Sequence, residues 1–181
     1  MLGRGECVNL LFKFLLTVNA TSWMLVVYCI KGPITLGNIP QWLFNLLLLC
    51  LPVFLSFISI VMAQFLGTDS IEECQEFSLA DNEFLPTYLG YFFVSVGVSD
   101  DMTMTYLYVI VFIFTFLSQT QYFNPIFLLF GYHYYHILTG RGTRVFIIAR
   151  GKVIRNKDNM QFDNLKRIND MTYIQKRGKK R

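Results

Sequence analysis

Charged residues are scarce in this sequence, and they are unevenly placed. Only 15% of the 181 residues are charged and 54% are hydrophobic, with a mean hydropathy of +0.42. Soluble domains carry about 25% charged residues. Of the 16 Lys and Arg, 13 fall between Arg141 and Arg181. The distribution excludes an ordinary soluble domain and indicates an apolar body followed by a basic C-terminal region.

The chain also lacks the residue spacings that most enzymes and metal proteins use. Its four cysteines show no CxxC or other zinc-binding spacing, so neither a zinc site nor a disulfide is expected. His133 and His136 lie three residues apart, and on a strand they would face opposite sides of the sheet. The segment Gly140–Thr143 lacks the rest of a phosphate-binding loop. We therefore predict no catalytic residues, no metal and no cofactor, and a protein that is not an enzyme.

Long uncharged runs predict membrane-spanning helices, because about 20 apolar residues in a helix cross the hydrocarbon layer. Four segments qualify, at about 14–30, 42–65, 84–98 and 102–120. The third is short, and a re-entrant loop is its alternative. The predicted fold class is a membrane all-α protein, with four transmembrane helices in residues 1–123 and a small C-terminal cytoplasmic β-rich domain.

The orientation of these helices follows from the basic residues, which are retained on the cytoplasmic side. The C-terminus is expected to be cytoplasmic, and an even number of spans places the N-terminus there too. The acidic segment 67–83 would be a cytoplasmic loop, and Asp100–Asp101 would be the outer tip of a tight hairpin between the third and fourth spans. The chain is therefore predicted to cross its membrane several times.

Polar and small residues within the apolar segments are expected to serve helix packing. Asn19, Thr21 and Ser22 lie in the first segment, where they can hydrogen-bond to other helices. Gly90 and Gly97 share one face of the third segment and would allow close helix approach. The segments hold no charge at mid-membrane depth, which argues against an ion-coupled transporter.

The residues from 124 to 175 have a different pattern and predict a small basic domain. Asn124-Pro125 breaks the helical pattern. Tyr132–Leu138 and Thr143–Ala149 are strand-like runs separated by a glycine-containing turn, which predicts a β-hairpin. Further short strands are expected at 152–154 and within 164–174, followed by a disordered basic tail at 176–181. Because an isolated hairpin is marginal in water, we expect a homo-oligomer or a partner protein.

The basic residues of this domain are the candidate partner-binding site. Its members are Arg141, Arg144, Arg150, Lys152 and Arg155. Anionic lipid is the alternative contact, since each basic residue beside a membrane gains about 1 kcal/mol from an anionic surface. Direct nucleic-acid binding is not expected, because no recognition helix or aromatic RNA-binding signature accompanies the charges.

The arrangement resembles one known family. The runs Asn124–Tyr135, Arg144–Asn156 and Leu165–Ile174, which follow the apolar segments, are similar to the KwaA family, the membrane subunit of the Kiwa anti-phage defence system. The resemblance implies a bacterial inner-membrane sensor that forms an oligomer. It also implies a soluble cytoplasmic effector as partner, similar to KwaB. No individual functional residue is transferred by this resemblance.

Three hypotheses of function follow from the sequence. The preferred one is a non-enzymatic membrane sensor or scaffold for anti-phage defence, which detects membrane perturbation and recruits or controls a soluble effector. The alternative is an oligomeric pore-forming effector, although no span carries a full polar stripe. A membrane enzyme is the least favoured, because no nucleophile with its base is recognisable.

Overall fold

The computed structural model describes residues 4–32, 39–69, 74–118, 124–151 and 165–175, with side chains from residue 8 onward. These ranges form a layer of helices and one mixed β-sheet. The helices are α1 (Arg4–Lys31), α2 (Gln41–Met62), α3 (Phe84–Gly97), α4 (Asp101–Leu117) and α5 (Pro125–Leu129). The strands are β1 (Thr68–Asp69), β2 (Cys74–Leu79), β3 (Tyr132–Thr139), β4 (Arg144–Arg150), β5 (Leu165–Arg167) and β6 (Thr172–Gln175).

Helix α1 is the centre of the helical layer and packs against α2, α3 and α4. At its C-terminal end, Lys31 Nζ donates hydrogen bonds to the carbonyl oxygens of Val96 and Val98, at 2.6 and 2.8 Å, where α3 ends. A lysine at this position satisfies carbonyls that a helix end leaves free. Asp100 accepts from the Thr103 N–H and caps α4. The segment between Gly97 and Asp101 joins α3 to α4, as predicted for the chain reversal, but its position as the outer tip of two membrane spans belongs to the four-span fold that is corrected below.

The sheet has the strand order β1-β5-β6-β4-β3-β2. β3 and β4 form the predicted hairpin, and its turn is closed by Gly142, whose φ of 76° suits glycine. β4 pairs in parallel with β6, and the other neighbours are antiparallel. The strand expected within 164–174 is in fact two strands, β5 and β6. The predicted strand at 152–154 and the tail at 176–181 lie outside the described residues.

Both edge strands, β1 and β2, come from the segment between α2 and α3. The prediction that 67–83 is an acidic loop is therefore wrong for Thr68–Asp69 and Cys74–Leu79, which form β1 and β2. One side of the sheet, the helix-facing side, presents Tyr134 and Phe146 to a core shared with Phe12 of α1 and Ala63 after α2. The other side, the outer side, holds a second core that includes Ile137. The central strands are buried on both sides.

The predicted fold class, a membrane all-α protein with four transmembrane helices, is wrong. Among the described residues only α1 and α2 lie in stretches long and apolar enough to cross a membrane, at Val8–Lys31 and Gln41–Phe65. Helices α3 and α4 have 14 and 17 residues. At 1.5 Å per residue they reach about 21 and 26 Å, less than the roughly 30 Å of hydrocarbon. The six-stranded sheet is larger than the predicted small C-terminal β-rich domain, because β1 and β2 come from the segment between α2 and α3.

Helix α2 exposes a large apolar surface that a soluble protein would bury. Only 22% of its most apolar stretch is buried, and α2 contains no charged residue. Trp42 is 69% exposed and Phe54 is 62% exposed. An apolar helix of this length that stays uncovered is typical of contact with lipid, because hydrocarbon does not penalise exposed apolar side chains. The two long helices thus indicate a membrane association.

Cys50 tests this association, because its side chain is exposed near the middle of α2. In a variant that retains Cys50 as its single cysteine, a membrane-impermeant maleimide should fail to react in native membranes and should react once SDS has unfolded the protein. A matched variant that retains Cys74, on β2, as its single cysteine should react in permeabilised membranes. Equal labelling of the two native proteins would contradict lipid contact at α2.

Candidate functional site

Four buried polar side chains meet where the helices contact the sheet. They come from four elements: Asn19 of α1, Ser56 of α2, Asn124 before α5 and Tyr134 of β3. Each is at most 2% exposed. We call these four residues the polar junction. They join segments that are far apart in the sequence, so the junction fixes the helical layer relative to the sheet.

Ser56 is the centre of the polar junction. Its Oγ accepts hydrogen bonds from Asn19 Nδ2 at 3.0 Å and from Asn124 Nδ2 at 2.9 Å, and it donates to the Pro52 carbonyl at 2.7 Å. A hydroxyl offers one donor and two acceptor lone pairs, so these three bonds use its full capacity. Ser56 therefore satisfies two buried side-chain amides at once.

Asn124 is held in place by the local sequence. The following Pro125 disfavours helical geometry at Asn124, which adopts an extended φ of −138° and ψ of 117°. Its Oδ1 accepts from the Ile126 N–H at 2.9 Å and caps α5, while Pro125 occupies the first turn. Because Oδ1 is used by the cap, Nδ2 is left to point at Ser56.

Tyr134 ties the other side of the junction to the sheet. Its hydroxyl accepts from the Asn124 N–H at 2.9 Å and donates to the Asn124 carbonyl at 2.8 Å. Complete burial raises the pKa of Tyr134 well above its ordinary value, so the phenol stays protonated. The ring stacks on Phe146, with centroids 5.6 Å apart. The Tyr134 hydroxyl thus holds the backbone of Asn124, just before α5, against the sheet.

Two histidine–carboxylate pairs fix the connection between β2 and α3. His133 Nδ1 lies 2.6 Å from Asp81 Oδ2, and Asp81 Oδ1 accepts from the Tyr134 N–H at 2.7 Å. His136 Nε2 lies 2.9 Å from Glu83 Oε2. Because the histidines are three apart on β3, they face opposite sides of the sheet. No group of metal-binding side chains occurs among the described residues.

The structure separates the predicted partner-binding arginines. Arg141 lies in the β3–β4 turn and Arg144 begins β4, so both are exposed at one end of the hairpin. Arg150 ends β4, and six residues of strand place it about 20 Å from Arg144. It lies over the Tyr132 ring, 5.7 Å from the centroid. Lys152 and Arg155 fall outside the described residues.

Gly90 and Gly97 both lie on exposed parts of α3. At each of the two glycines, no atom beyond the adjacent residues and the nearby backbone of α3 lies within 4 Å of the position that a Cβ would occupy. Among the described residues, neither glycine therefore makes a close helix contact within one chain. Their predicted packing role stays a prediction for a contact between copies.

Sequence reasoning found part of the junction and missed the rest. The expected interhelical bonding of Asn19 is confirmed by its bond to Ser56, and Thr21 Oγ1 lies 3.3 Å from the Tyr108 hydroxyl of α4. The sequence predicts that Asn124-Pro125 ends a helix, but it does not predict the hydrogen bond from Asn124 to Ser56. The available signal was a serine in the uncharged run of α2, since polar side chains at that depth need partners.

The fold and junction define a class: a protein with two long apolar helices, which indicate a membrane association, joined by buried hydrogen bonds to a mixed sheet. The model of the anti-phage protein KwaA family matches residues 12–174, which is most of the chain. The chain therefore belongs to the KwaA family, and an anti-phage defence role follows from that membership. No curated protein and no solved structure matches it.

Removing the Ser56 hydroxyl should destabilise the fold. Ser56→Ala leaves the amides of Asn19 and Asn124 buried without this partner, which costs about 1 to 3 kcal/mol. Ser59→Ala is the matched control, because Ser59 is buried on the same helix and, among the described residues, its hydroxyl bonds only to the Leu55 carbonyl. Thermal unfolding in one detergent measures both. Equal losses of stability would contradict the bridging role.

Proposed function

We propose that this KwaA-family protein is a non-enzymatic inner-membrane sensor that detects membrane perturbation and controls a soluble cytoplasmic effector similar to KwaB. The observation that supports this most directly is the polar junction, because it connects the apolar helices with the mixed sheet. A sensor needs one part that experiences the membrane, another that meets a partner, and a defined link between them. We assign these three roles to the apolar helices, the sheet and the polar junction.

The proposed topology has α1 and α2 crossing the membrane, with both termini cytoplasmic. The basic residues after β3 support a cytoplasmic sheet, since basic segments are retained on that side. The hairpin of α3 and α4 packs against α1 and exposes apolar side chains such as Phe93 and Phe114. We propose that it lies alongside α1 in the membrane, since its tip is bonded to Lys31 at the far end of α1.

The effector is proposed to dock at the exposed end of the β3–β4 hairpin, which holds Arg141 and Arg144. Their positive charges can guide an acidic surface of the effector into position. Arg150 lies at the other end of β4, and its stacking on Tyr132 gives it a local structural role. Anionic lipid remains the competing partner for these side chains. Homo-oligomers are proposed to form through the exposed α3 face of Gly90 and Gly97.

The sensor function predicts that junction variants lose defence. Cells that express Ser56→Ala with the effector should lose most protection against phage, because the helices and sheet no longer move together. Ser59→Ala should protect as well as the wild type. Both proteins must be present in the membrane at equal amounts, as measured by quantitative immunoblotting. Full protection by a correctly inserted Ser56→Ala protein would contradict transmission through the junction.

The docking surface is tested by charge reversal. The double variant Arg141→Glu/Arg144→Glu should release the effector from membranes, and added salt should weaken wild-type recruitment, because the contact depends on exposed charges. Arg150→Glu is the single-site comparison and should retain the effector. Co-purification from detergent extracts measures recruitment. Normal effector stoichiometry with the double variant would reject this surface, and loss of anionic-lipid binding alone would assign the arginines to lipid.

A further inference from the structure

Strand β2 is a sheet edge with no strand partner on its far side among the described residues. The opposite edge is the two-residue β1, which is too short to accept a strand of useful length. A β-bulge interrupts β2 between Cys74 and Glu76, and the stretch from Glu76 to Leu79 pairs regularly with β3. Sheet edges of this kind can accept an extended segment from another molecule.

The direction of the backbone groups in β2 can be read from its pairing. The Ala80 N–H donates to the Tyr134 carbonyl at 2.8 Å, so Ala80 points toward β3. Antiparallel strands alternate in direction, so Ser78 and Glu76 also point toward β3. Phe77 and Leu79 therefore direct their N–H and C=O groups to the free edge. Leu79 is 48% exposed, which leaves that edge accessible.

The side chains near this edge specify the kind of segment that fits. An open groove of about 550 Å³ runs along the helix-facing side of β2, β3 and β4, and it includes Glu76, Ser78, Glu83, His136 and Arg144. Glu83 is paired with His136. Glu76 lies in the strand nearest the edge and makes no ion pair among the described residues. On the outer side, Leu79 presents an apolar surface.

We propose that the effector adds an extended strand to the free edge of β2, with a basic side chain opposite Glu76 and an apolar one opposite Leu79. This inference rests on the proposed recruitment of an effector and gives that recruitment its geometry. A residue opposite Glu76 forms a non-hydrogen-bonded pair, in which the two Cβ atoms are about 4.5 to 5.5 Å apart. A lysine or arginine there can reach both Glu76 and the groove.

A strand from a partner suits this edge better than a second copy of β2. Two β2 edges brought together would place Glu76 and Glu83 of both copies near one another, and neither strand contains a basic residue to offset them. The edge is also next to the proposed docking end of the hairpin, since Gln75 Nε2 donates to the Gly140 carbonyl at 3.2 Å. One effector surface can therefore contact both.

Hydrogen–deuterium exchange of the full chain in detergent, with and without the purified effector, tests the proposal. Peptides covering 74–80 should gain protection at two amides, those of Phe77 and Leu79, when the effector binds. A bound effector with unchanged exchange there would overturn strand addition while leaving recruitment intact. Failure of the wild type to bind the effector would reject the proposed function, and this inference with it. Protection that depends on protein concentration without effector would assign the edge to a second copy.

Two pairs of variants locate the contact. Leu79→Pro removes the outward N–H and should weaken effector binding about tenfold or more, whereas Leu79→Val should bind as the wild type does. Glu76→Lys keeps the backbone and should also weaken binding about tenfold, and Asp170→Lys, which makes the same charge change in the β5–β6 turn, should not. Unchanged binding of both Leu79→Pro and Glu76→Lys would overturn the proposal.

Discussion

The hydroxyl of Ser56 has to serve two buried amides and one carbonyl, and the relation between the helices and the sheet depends on this requirement. Asn19 and Asn124 each present an Nδ2 group in a region closed to water. A buried amide without a partner costs more than a made hydrogen bond gains, so alternative arrangements of α1, α2 and the α5 loop are penalised together. Apolar contacts alone would allow these elements to slide, because they have little directional preference. Directional bonds at one point select a single register.

Helix α1 extends this constraint to the far end of the molecule. Its Asn19 belongs to the junction, and its Lys31 holds the end of α3 through the carbonyls of Val96 and Val98. Tyr28 donates to Asp101 at 2.5 Å, which also fixes the start of α4. The hairpin of α3 and α4 is thereby attached to the same helix that reaches the sheet. A displacement at either end of α1 must strain contacts at both.

The sequence pattern predicted those helices and strands whose residues lie close together along the chain. The uncharged run of α2 and the strand, turn and strand of 132–150 are examples, because hydrophobic length and turn chemistry act over short distances.

The edge strands could not be predicted in this way. Thr68–Asp69 has too few residues for any periodicity, and β2 contains Gln75 and Glu76 and depends on pairing with β3, about 60 residues away. The short length of segment 84–98 raised the alternative of a re-entrant loop, but its apolar composition favoured a full span. The junction was only half predictable, because Asn124 lies 68 residues from its partner Ser56.

The position of β2 in the chain gives the sheet a second connection to the helices. β2 leads into α3 through residues 80–83, and this short segment is held to β3 by Asp81 with His133 and by Glu83 with His136. The segment is too short to absorb a large movement, so a shift of α3 along α1 must either pull on β2 or break these two pairs. The Tyr134 N–H, which also bonds to Asp81, brings the junction into the same set of contacts. Among the described residues, the β2 edge is thus the part of the sheet most directly joined to α3, and a partner strand proposed to bind there would be sensitive to the arrangement of the helices.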